Sequence, residues 1–243
     1  MCSRYSLTAK EWDFFSKFLK ELMQLKAATR YNIAPTQSAP VIAMDDDIPA
    51  CRDMRFGFQS PATATRKSSI VVNARSETVA EKPIFRDAFR ERRCLVPATG
   101  FYEWQQIGAQ KQPMNIRLND GKPFYFAGLW RTSLIPAKSA DGSGKESEPA
   151  DTFVIMTTEP NRLMASIHNR MPVILDPQAR DQWLDPGSRT EGLSPLMRPF
   201  DPDAMEAWPV ASGVGSPAKD SPECLERVEQ LRAPVQQDLF GDS

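Results

Sequence analysis

The sequence lacks the features that place a chain in or across a membrane. No stretch approaches the roughly 18 consecutive apolar residues that a membrane-spanning helix needs. The N-terminal segment also lacks the basic start and apolar run of a signal peptide, because charged and aromatic residues already mix in "KEWDFFSKFLKEL". We therefore expect a cytoplasmic protein with no membrane segment.

Cysteine and histidine are both scarce, which argues against the common metal sites. The chain has one histidine, and its cysteines form no C-x-x-C pair and have no histidine nearby, so neither a zinc site nor a redox dithiol is predicted. In a reducing compartment each cysteine is expected to be a free thiol. We expect no metal and no cofactor. The four cysteines are Cys2, Cys51, Cys94 and Cys224.

Neither sign of charge is in excess. The chain has 30 Lys and Arg against 31 Asp and Glu, a net charge of -1, so nothing in its overall charge favours nucleic acid. Any such binding must come from a local patch. The segment "RDAFRERR" is one candidate, and a solvated helix face is the alternative interpretation of its arginines, Arg86, Arg90, Arg92 and Arg93.

Short β-branched and aromatic runs, separated by Pro, Gly and Asn, dominate the middle of the chain. Its 21 prolines are dispersed, which indicates many tight connections rather than a disordered tract. The pattern predicts an α+β fold, a single mixed domain whose mostly antiparallel, β-barrel-like core is flanked by short helices. The strand-like runs are "APVIAM", "SSIVVNAR", "CLVPATGFYEW", "MNIRL", "PFYFAGLWRT", "TFVIMTT" and "MPVILD".

Helix signals flank these runs. Thr8 and Glu11 form a capping box that begins a predicted helix ending near Gln24. Shorter helices are predicted in "SETVAEKPIFRDAFRE", after "TTEPNRL" and in "PQARDQWL". We expect one domain over residues 1–232, with a flexible hairpin tip at about 137–151, and a flexible tail over 233–243.

Cys2 is the first candidate reactive residue, because removal of Met1 would make it the N-terminal residue. It would then carry an amine and a thiol on adjacent carbons. The amine condenses with an aldehyde to an imine, and the nearby thiol closes a five-membered thiazolidine ring. Ordinary pKa values of about 7.7 to 8.0 for the amine and about 8.5 for the thiol leave both groups usable near neutral pH.

Polar residues beside two apolar strands supply further candidates. His168, the single histidine, lies with Asn169 and Arg170 just before "MPVIL", where a catalytic role competes with that of a satisfied structural histidine. Asn73 and Arg75 follow "SSIVV". Asn73 could orient a reactive group and Arg75 could bind phosphate through its guanidinium fork, the alternative being a structural salt bridge.

Glu103 lies within "GFYEWQ". Strand alternation places Tyr102 and Trp104 on one face, and Glu103 with Phe101 on the other. A carboxylate among aromatic side chains has a raised pKa and can carry protons near neutrality. An exposed strand glutamate is the alternative interpretation.

Several of these stretches, in this order, resemble the SRAP (SOS-response-associated peptidase) family, whose members cross-link to abasic sites in single-stranded DNA. The resemblance implies a compact mixed fold with a barrel-like core, Cys2 as the covalent residue, Asn73, Glu103 and His168 around it, and Arg75 as a DNA contact. The matching stretches are "MCSRY", "RYNIAPTQ", "VNARSET", "RCLVPATGFYEW", "FAGLW", "TTEPNRLMASIHNRMPVIL", "WLDP" and "SPAKDSPECLE".

An abasic deoxyribose exists partly as a ring-opened C1′ aldehyde, which is the electrophile that an aminothiol needs. Glu103 would then move protons during dehydration, His168 would assist ring opening or sulfur attack, and Asn73 would hold the N-terminus. The sequence leaves open which of Glu103 and His168 acts at each step. The predicted phosphate contacts are Arg4, Arg75, Arg162 and Arg170.

Two departures from the family pattern concern DNA binding. Ser3 replaces the usual glycine after the cysteine, and "RFGFQSPATATRKSS" offers only Phe56 and Phe58 for stacking on bases. The tail also contains "QQDLF", which resembles the peptide by which bacterial repair proteins bind the sliding clamp. In that interpretation Leu239 and Phe240 fill an apolar pocket and Gln236 binds at its rim.

We therefore predict a monomeric DNA-repair protein that caps abasic sites through Cys2, with strand cleavage as an associated lyase activity. The alternative is an N-terminal-nucleophile peptidase or amidohydrolase, in which the Cys2 thiol attacks a carbonyl and its own amine is the base. A non-enzymatic DNA-binding protein or clamp adaptor is a third class, and it would tolerate replacement of Cys2.

Overall fold

The computed structural model describes residues 2–8, 29–60, 68–136 and 147–231. Within these ranges the chain is mostly β-strand, with a few short helices. The strands are β1 (Tyr5–Leu7), β2 (Arg30–Ile33), β3 (Ser38–Asp45), β4 (Ile48–Phe56), β5 (Phe58–Ser60), β6 (Ser69–Val71), β7 (Asn73–Arg75), β8 (Arg93–Ala98), β9 (Gly100–Ile107), β10 (Gln110–Leu118), β11 (Phe124–Pro136), β12 (Ser147–Thr158), β13 (Met171–Pro172), β14 (Ile174–Leu175) and β15 (Met205–Pro209).

Five strands close into a barrel in the order β12, β4, β3, β8 and β11, because β11 also pairs with β12. Three short strands extend this sheet without belonging to the ring: β7 and β13 pair with β12, and β14 pairs with β11. Neighbouring strands run antiparallel except where β4 and β7 lie parallel to β12. The predicted α+β fold with a mostly antiparallel, barrel-like core is confirmed.

A second sheet, in the order β15, β10, β9, β1 and β2, carries the N-terminus. Only Thr99 separates β8 of the barrel from β9 of this sheet, so the chain passes directly from one to the other. A Cβ atom on Gly100 would lie 3.0 Å from Asn115 Oδ1 and 3.2 Å from Ser6 Oγ. Glycine is therefore needed where the chain crosses between the sheets.

The two faces of β9 contribute to different hydrophobic clusters. Phe101 packs in the main core, while Tyr102 packs with Trp208 and Val214 in a smaller cluster beneath the C-terminal segment. This division follows the predicted strand alternation. Phe56 and Phe58 are both fully buried, so the folded chain does not offer them for stacking on bases.

The described helices are α1 (Arg86–Glu91), α2 (Arg162–Ala165) and α3 (Pro177–Leu184). Asn161 and Asp176 cap α2 and α3 with side-chain hydrogen bonds. Helix α3 coincides with the predicted "PQARDQWL", whereas α2 begins at Arg162, inside "TTEPNRL" and two residues earlier than predicted. The helix predicted in "SETVAEKPIFRDAFRE" is shorter than expected, because turns precede α1 around Pro83. The 3-10 helices span Thr190–Leu196, Pro202–Ala204, Ser212–Gly215 and Pro222–Leu225.

Several sequence predictions concern residues outside the described ranges. The helix predicted from Thr8 to Gln24 lies outside the described residues from residue 9 onward. Residues 137–146 of the predicted hairpin tip also lie outside them. Residues 147–151 belong to β12, where they pair with β11. The tail, with Gln236, Leu239 and Phe240, also lies outside the description. No helix among the described residues is long and apolar enough to cross a membrane.

Candidate active site

Cys2 lies just before β1 and is completely buried. Strand β1 pairs with β9 through Tyr5 and Phe101, and Tyr102 N donates to Arg4 O over 3.0 Å. Continuing this antiparallel register brings residues 2 and 3 beside the Glu103 segment. The N-terminal cysteine is thus positioned by sheet pairing rather than left at a frayed chain end.

Asn73, the first residue of β7, reaches the N-terminus from another strand. Its Nδ2 donates to Cys2 O over 2.9 Å and to Ile155 O over 3.3 Å. Its Oδ1 is buried and has no hydrogen-bond partner within the described part of the chain. Asn73 therefore fixes the Cys2 peptide and keeps an acceptor available inside the site.

Glu103 is almost completely buried, at 2% exposure. Burial raises the pKa of its carboxyl, and a proton on His168, when the ring carries one at both nitrogens, partly opposes that rise. Burial also raises the pKa of the Cys2 thiol, and the charge of Glu103 raises it further. The Cys2 thiol and the His168 ring thus both lie close enough to the Glu103 carboxyl to interact with it electrostatically.

His168 follows α2 and is half-buried. Its backbone N donates to Met164 O over 2.7 Å, which continues the turn of α2. Its Nδ1 accepts from Arg170 N over 3.0 Å and lies 3.3 Å from Arg170 O. Accepting from a backbone N–H requires an unprotonated Nδ1, so the neutral ring carries its hydrogen on Nε2.

Sheet pairing, a side-chain amide and a short helix thus bring the four predicted catalytic residues together. Among the described residues, no group of three or more His, Cys, Asp or Glu side chains has the arrangement of a metal site. A family model described as SOS response associated peptidase (SRAP) matches residues 1–217. The chain belongs to the SRAP family.

Similar proteins agree with this SRAP assignment over nearly the whole chain. Abasic site processing protein YoqW of Bacillus subtilis is 37% identical over 231 residues, which cover 93% of this chain and 99% of YoqW. Abasic site processing protein YoaM of the same organism is 36% identical, with 93% and 98% covered. A crystal structure of a Bacteroides thetaiotaomicron protein matches with a TM-score of 0.75 and 28% identity, covering 94% of this chain and 100% of that one.

Two of the four predicted phosphate-binding arginines of this SRAP chain are exposed. Arg75 ends β7 and lies two residues after Asn73, so both project from the same side of the strand. Its backbone carbonyl accepts from Thr78 N over 3.1 Å, but its guanidinium group has no ion pair or hydrogen bond within the described ranges. Arg162 begins α2 and forms an exposed ion pair with Asp203. Both guanidinium groups are accessible to a phosphate.

The other two arginines are engaged within the fold. Arg4 is buried and donates to Asn32 Oδ1 at 3.0 Å, Val214 O at 2.9 Å and Gly215 O at 2.7 Å. This geometry favours a structural role for Arg4, which ties the N-terminus to the C-terminal segment. Arg170 is held by Glu77, and a phosphate would reach it only in competition with that carboxylate.

The basic segment "RDAFRERR" also contains both exposed and buried arginines. Arg86, Arg90 and Arg92 are exposed on or beside α1. Arg93 is buried and donates to five backbone carbonyls, including Trp183 O at 2.7 Å and Asp185 O at 2.7 Å. Arg93 therefore holds α1 against the segment after α3 and does not belong to a nucleic-acid surface.

Sequence reasoning does not single out Glu77 or Thr157, yet both adjoin the SRAP site. Thr157 O accepts from Arg170 Nη2 over 2.7 Å and from Ser76 N over 2.9 Å. Glu77 stands in "VNARSET", four residues after Asn73, and this closeness in sequence is the one signal that could have indicated it.

Proposed function

We propose that this chain recognises abasic sites in single-stranded DNA and caps them as a thiazolidine through Cys2 after removal of Met1. The observation that carries the proposal is the grouping of Asn73, Glu103 and His168 around an N-terminal cysteine. The names of YoqW and YoaM as abasic site processing proteins supply the substrate class.

The reaction needs no oxidant and no external nucleophile. The amine of Cys2 adds to the C1′ aldehyde to form a carbinolamine, which loses one water to give an imine. The sulfur then bonds to the former aldehyde carbon, the thiol proton passes to the imine nitrogen, and the five-membered ring closes. Both nucleophiles belong to one residue, so ring closure is intramolecular and fast.

Burial decides the order of the two nucleophiles. The pKa of the Cys2 thiol is raised, so the sulfur stays protonated at neutral pH and is a weak nucleophile until a base assists it. The amine therefore reacts first. Glu103 protonates the departing hydroxyl during dehydration, and the carboxylate left behind then takes the proton of the thiol.

His168 and Asn73 complete the set. With its hydrogen on Nε2, His168 can donate to the ring oxygen of the closed sugar and so promote opening to the aldehyde. Asn73 keeps the Cys2 carbonyl in place through its 2.9 Å hydrogen bond, which orients the adjacent amine. We assign phosphate binding first to the exposed Arg75 and Arg162.

The imine is also a branch point. Abstraction of the C2′ proton followed by loss of the 3′ phosphate would cleave the strand, and this lyase outcome needs the amine but not the thiol. In the peptidase alternative the Cys2 thiol attacks in the first step and must give its proton to a base there, and burial raises the pKa of that thiol, whereas capping begins with the amine. Clamp binding through Gln236, Leu239 and Phe240 stays a prediction, tested by clamp pull-down with residues 236–240 deleted.

The decisive experiment mixes untagged protein with a single-stranded oligonucleotide that carries one abasic site. Intact mass should show loss of Met1, and then a conjugate lighter than the sum of its parts by one water. Cys2→Ala should give no heat-stable conjugate but still yield a borohydride-trapped imine, because its amine remains. Cys51→Ala, at a half-buried thiol outside the site, is the matched control and should react normally. A heat-stable conjugate of Cys2→Ala would refute the proposal.

A further inference from the structure

An ion pair joins the turn that follows β7, the strand that begins with Asn73, to the loop that carries His168. Glu77 follows β7, while Arg170 follows His168 and precedes β13. Arg170 Nη1 lies 2.5 Å from Glu77 Oε1, and Arg170 Nη2 lies 2.9 Å from Glu77 Oε2. Such a two-point contact fixes orientation as well as distance between the loops.

Burial makes the guanidinium depend on this partner. The Arg170 side chain is 13% exposed, whereas the Glu77 side chain is 50% exposed. Arg170 Nε is buried with no hydrogen-bond partner among the described residues, and Arg170 Nη2 also donates to Thr157 O over 2.7 Å. Loss of the Glu77 carboxylate would leave a largely buried positive charge without its counter-charge, which favours movement of the Arg170 segment.

The Arg170 peptide is in turn what holds the imidazole of His168. Both its N–H and its carbonyl face Nδ1, at 3.0 Å and 3.3 Å. The neutral ring accepts from the N–H, and the protonated ring donates to the carbonyl. The ring can therefore keep one orientation through a cycle of proton transfer, provided that the peptide stays in place.

From this geometry we propose that Glu77 is a positioning residue for His168: by clamping Arg170 it holds the peptide that orients the imidazole in both protonation states. The inference rests on the proposed function for its catalytic consequence, but the structural effect on His168 can be measured without DNA. Glu77 touches neither the substrate nor Cys2 in this scheme.

The chain offers a matched control on the same segment. Arg162 and Asp203 also form an arginine–carboxylate pair, but both side chains are 72% exposed, so neither charge depends on the other for burial. Asp203→Ala and Glu77→Ala therefore remove the same charge from the same kind of partner. Only Glu77→Ala is expected to disturb the imidazole.

Nuclear magnetic resonance of uniformly 15N-labelled protein gives the first readout. His168 is the only histidine, so a preparation without a histidine tag shows a single pair of ring-nitrogen signals. In the wild type at a pH where the ring is neutral, Nδ1 should resonate as an unprotonated nitrogen and Nε2 as an N–H. In Glu77→Ala the two signals should move toward each other as the second tautomer becomes populated, while Asp203→Ala leaves them unchanged. Glu77→Gln, which keeps one acceptor oxygen at the same length, should lie between.

Kinetics give the second readout. At saturating oligonucleotide, Glu77→Ala should slow conjugate formation about tenfold, a fraction of what a positioned acid or base contributes. Binding of an oligonucleotide with a non-reactive abasic analogue should not weaken. Unchanged ring-nitrogen signals in Glu77→Ala would overturn the inference, and so would tighter binding of the analogue at an unchanged rate, which would show that Glu77 only competes with phosphate. A wild-type rate for His168→Ala would refute the catalytic role of His168. The positioning of the ring by Glu77 would then still be supported by the shift of the ring-nitrogen signals in Glu77→Ala.

Discussion

Replacing Glu103 by Gln separates the chemical role of this residue from its cost to the fold. The substitution keeps the size of the side chain but removes the ionisable proton. Since a positioned acid or base contributes about 100- to 10,000-fold, we expect conjugate formation at saturating DNA to fall by at least about 100-fold. Glu103 is buried and cannot contact phosphate, so DNA affinity should be retained.

The same substitution is expected to stabilise the folded chain near neutral pH. Burial raises the pKa of Glu103, so the folded chain binds this proton more tightly than the unfolded chain does. The stability contributed by the protonated carboxyl is complete below the unfolded pKa of about 4.3, and it is lost as the pH rises through the folded pKa. Each unit of difference between the folded and unfolded pKa of Glu103 corresponds to about 1.4 kcal/mol of stability that is lost as the pH rises. A Gln side chain does not titrate, so the variant avoids this loss.

Two assays test the expected loss of reaction rate and the expected gain in stability. Single-turnover conjugate formation is quenched in denaturant and followed on gels, and urea unfolding is measured at a series of pH values. Glu81→Gln, at an exposed glutamate, is the matched control and should change neither quantity. The proton-carrier role of Glu103 would be refuted if Glu103→Gln reacted at the wild-type rate. It would also be refuted if the free energy of unfolding of the variant differed from that of the wild type by the same amount at every pH.

Three further substitutions test the surroundings of the site. Asn73→Ala should lower the free energy of unfolding by about 1 to 3 kcal/mol, because buried carbonyls lose a donor, and should slow conjugate formation in the same preparation. Arg75→Ala should weaken DNA binding and reduce the salt dependence of log affinity by about one phosphate contact, whereas Arg86→Ala, at an exposed arginine of α1, should not. Arg4→Met should cost about 3 kcal/mol in urea unfolding, because Arg4 donates two buried hydrogen bonds and one partly buried one. Retained DNA affinity in this variant would separate the structural role of Arg4 from phosphate binding.

Local patterns in the sequence were enough to predict many of the strands, whereas the roles of the site residues stay predictions. The β-branched runs became β3 and β6 to β14, which are shared between the barrel, the second sheet and the strands beside them, and the alternation along β9 correctly separated Phe101 from Tyr102. Helix α3 coincides with the predicted "PQARDQWL", and its start is fixed by a hydrogen bond between Asp176 and Ala179, three positions apart. Each of these features is determined by residues that are close together in the sequence.

Features that depend on distant residues could not be predicted in this way. The sequence marks Arg4 as a cation, but its burial depends on carbonyls of Val214 and Gly215, more than 200 residues away. Likewise, nothing local pairs Glu77 with Arg170 across 93 positions. An arginine in a motif predicts a guanidinium, and only the tertiary structure determines whether that group faces solvent or the interior.

The burial of Cys2 has a consequence for the timing of maturation. Strand β1 is flanked by β2 and β9, and Arg4 is anchored by residues 214 and 215, so the N-terminus is enclosed only when nearly the whole chain has been synthesised. An aminopeptidase acts on an extended, accessible end. If Met1 is removed as we propose, its excision therefore belongs to the period on the ribosome, and we expect a chain that folds with Met1 in place to stay inert.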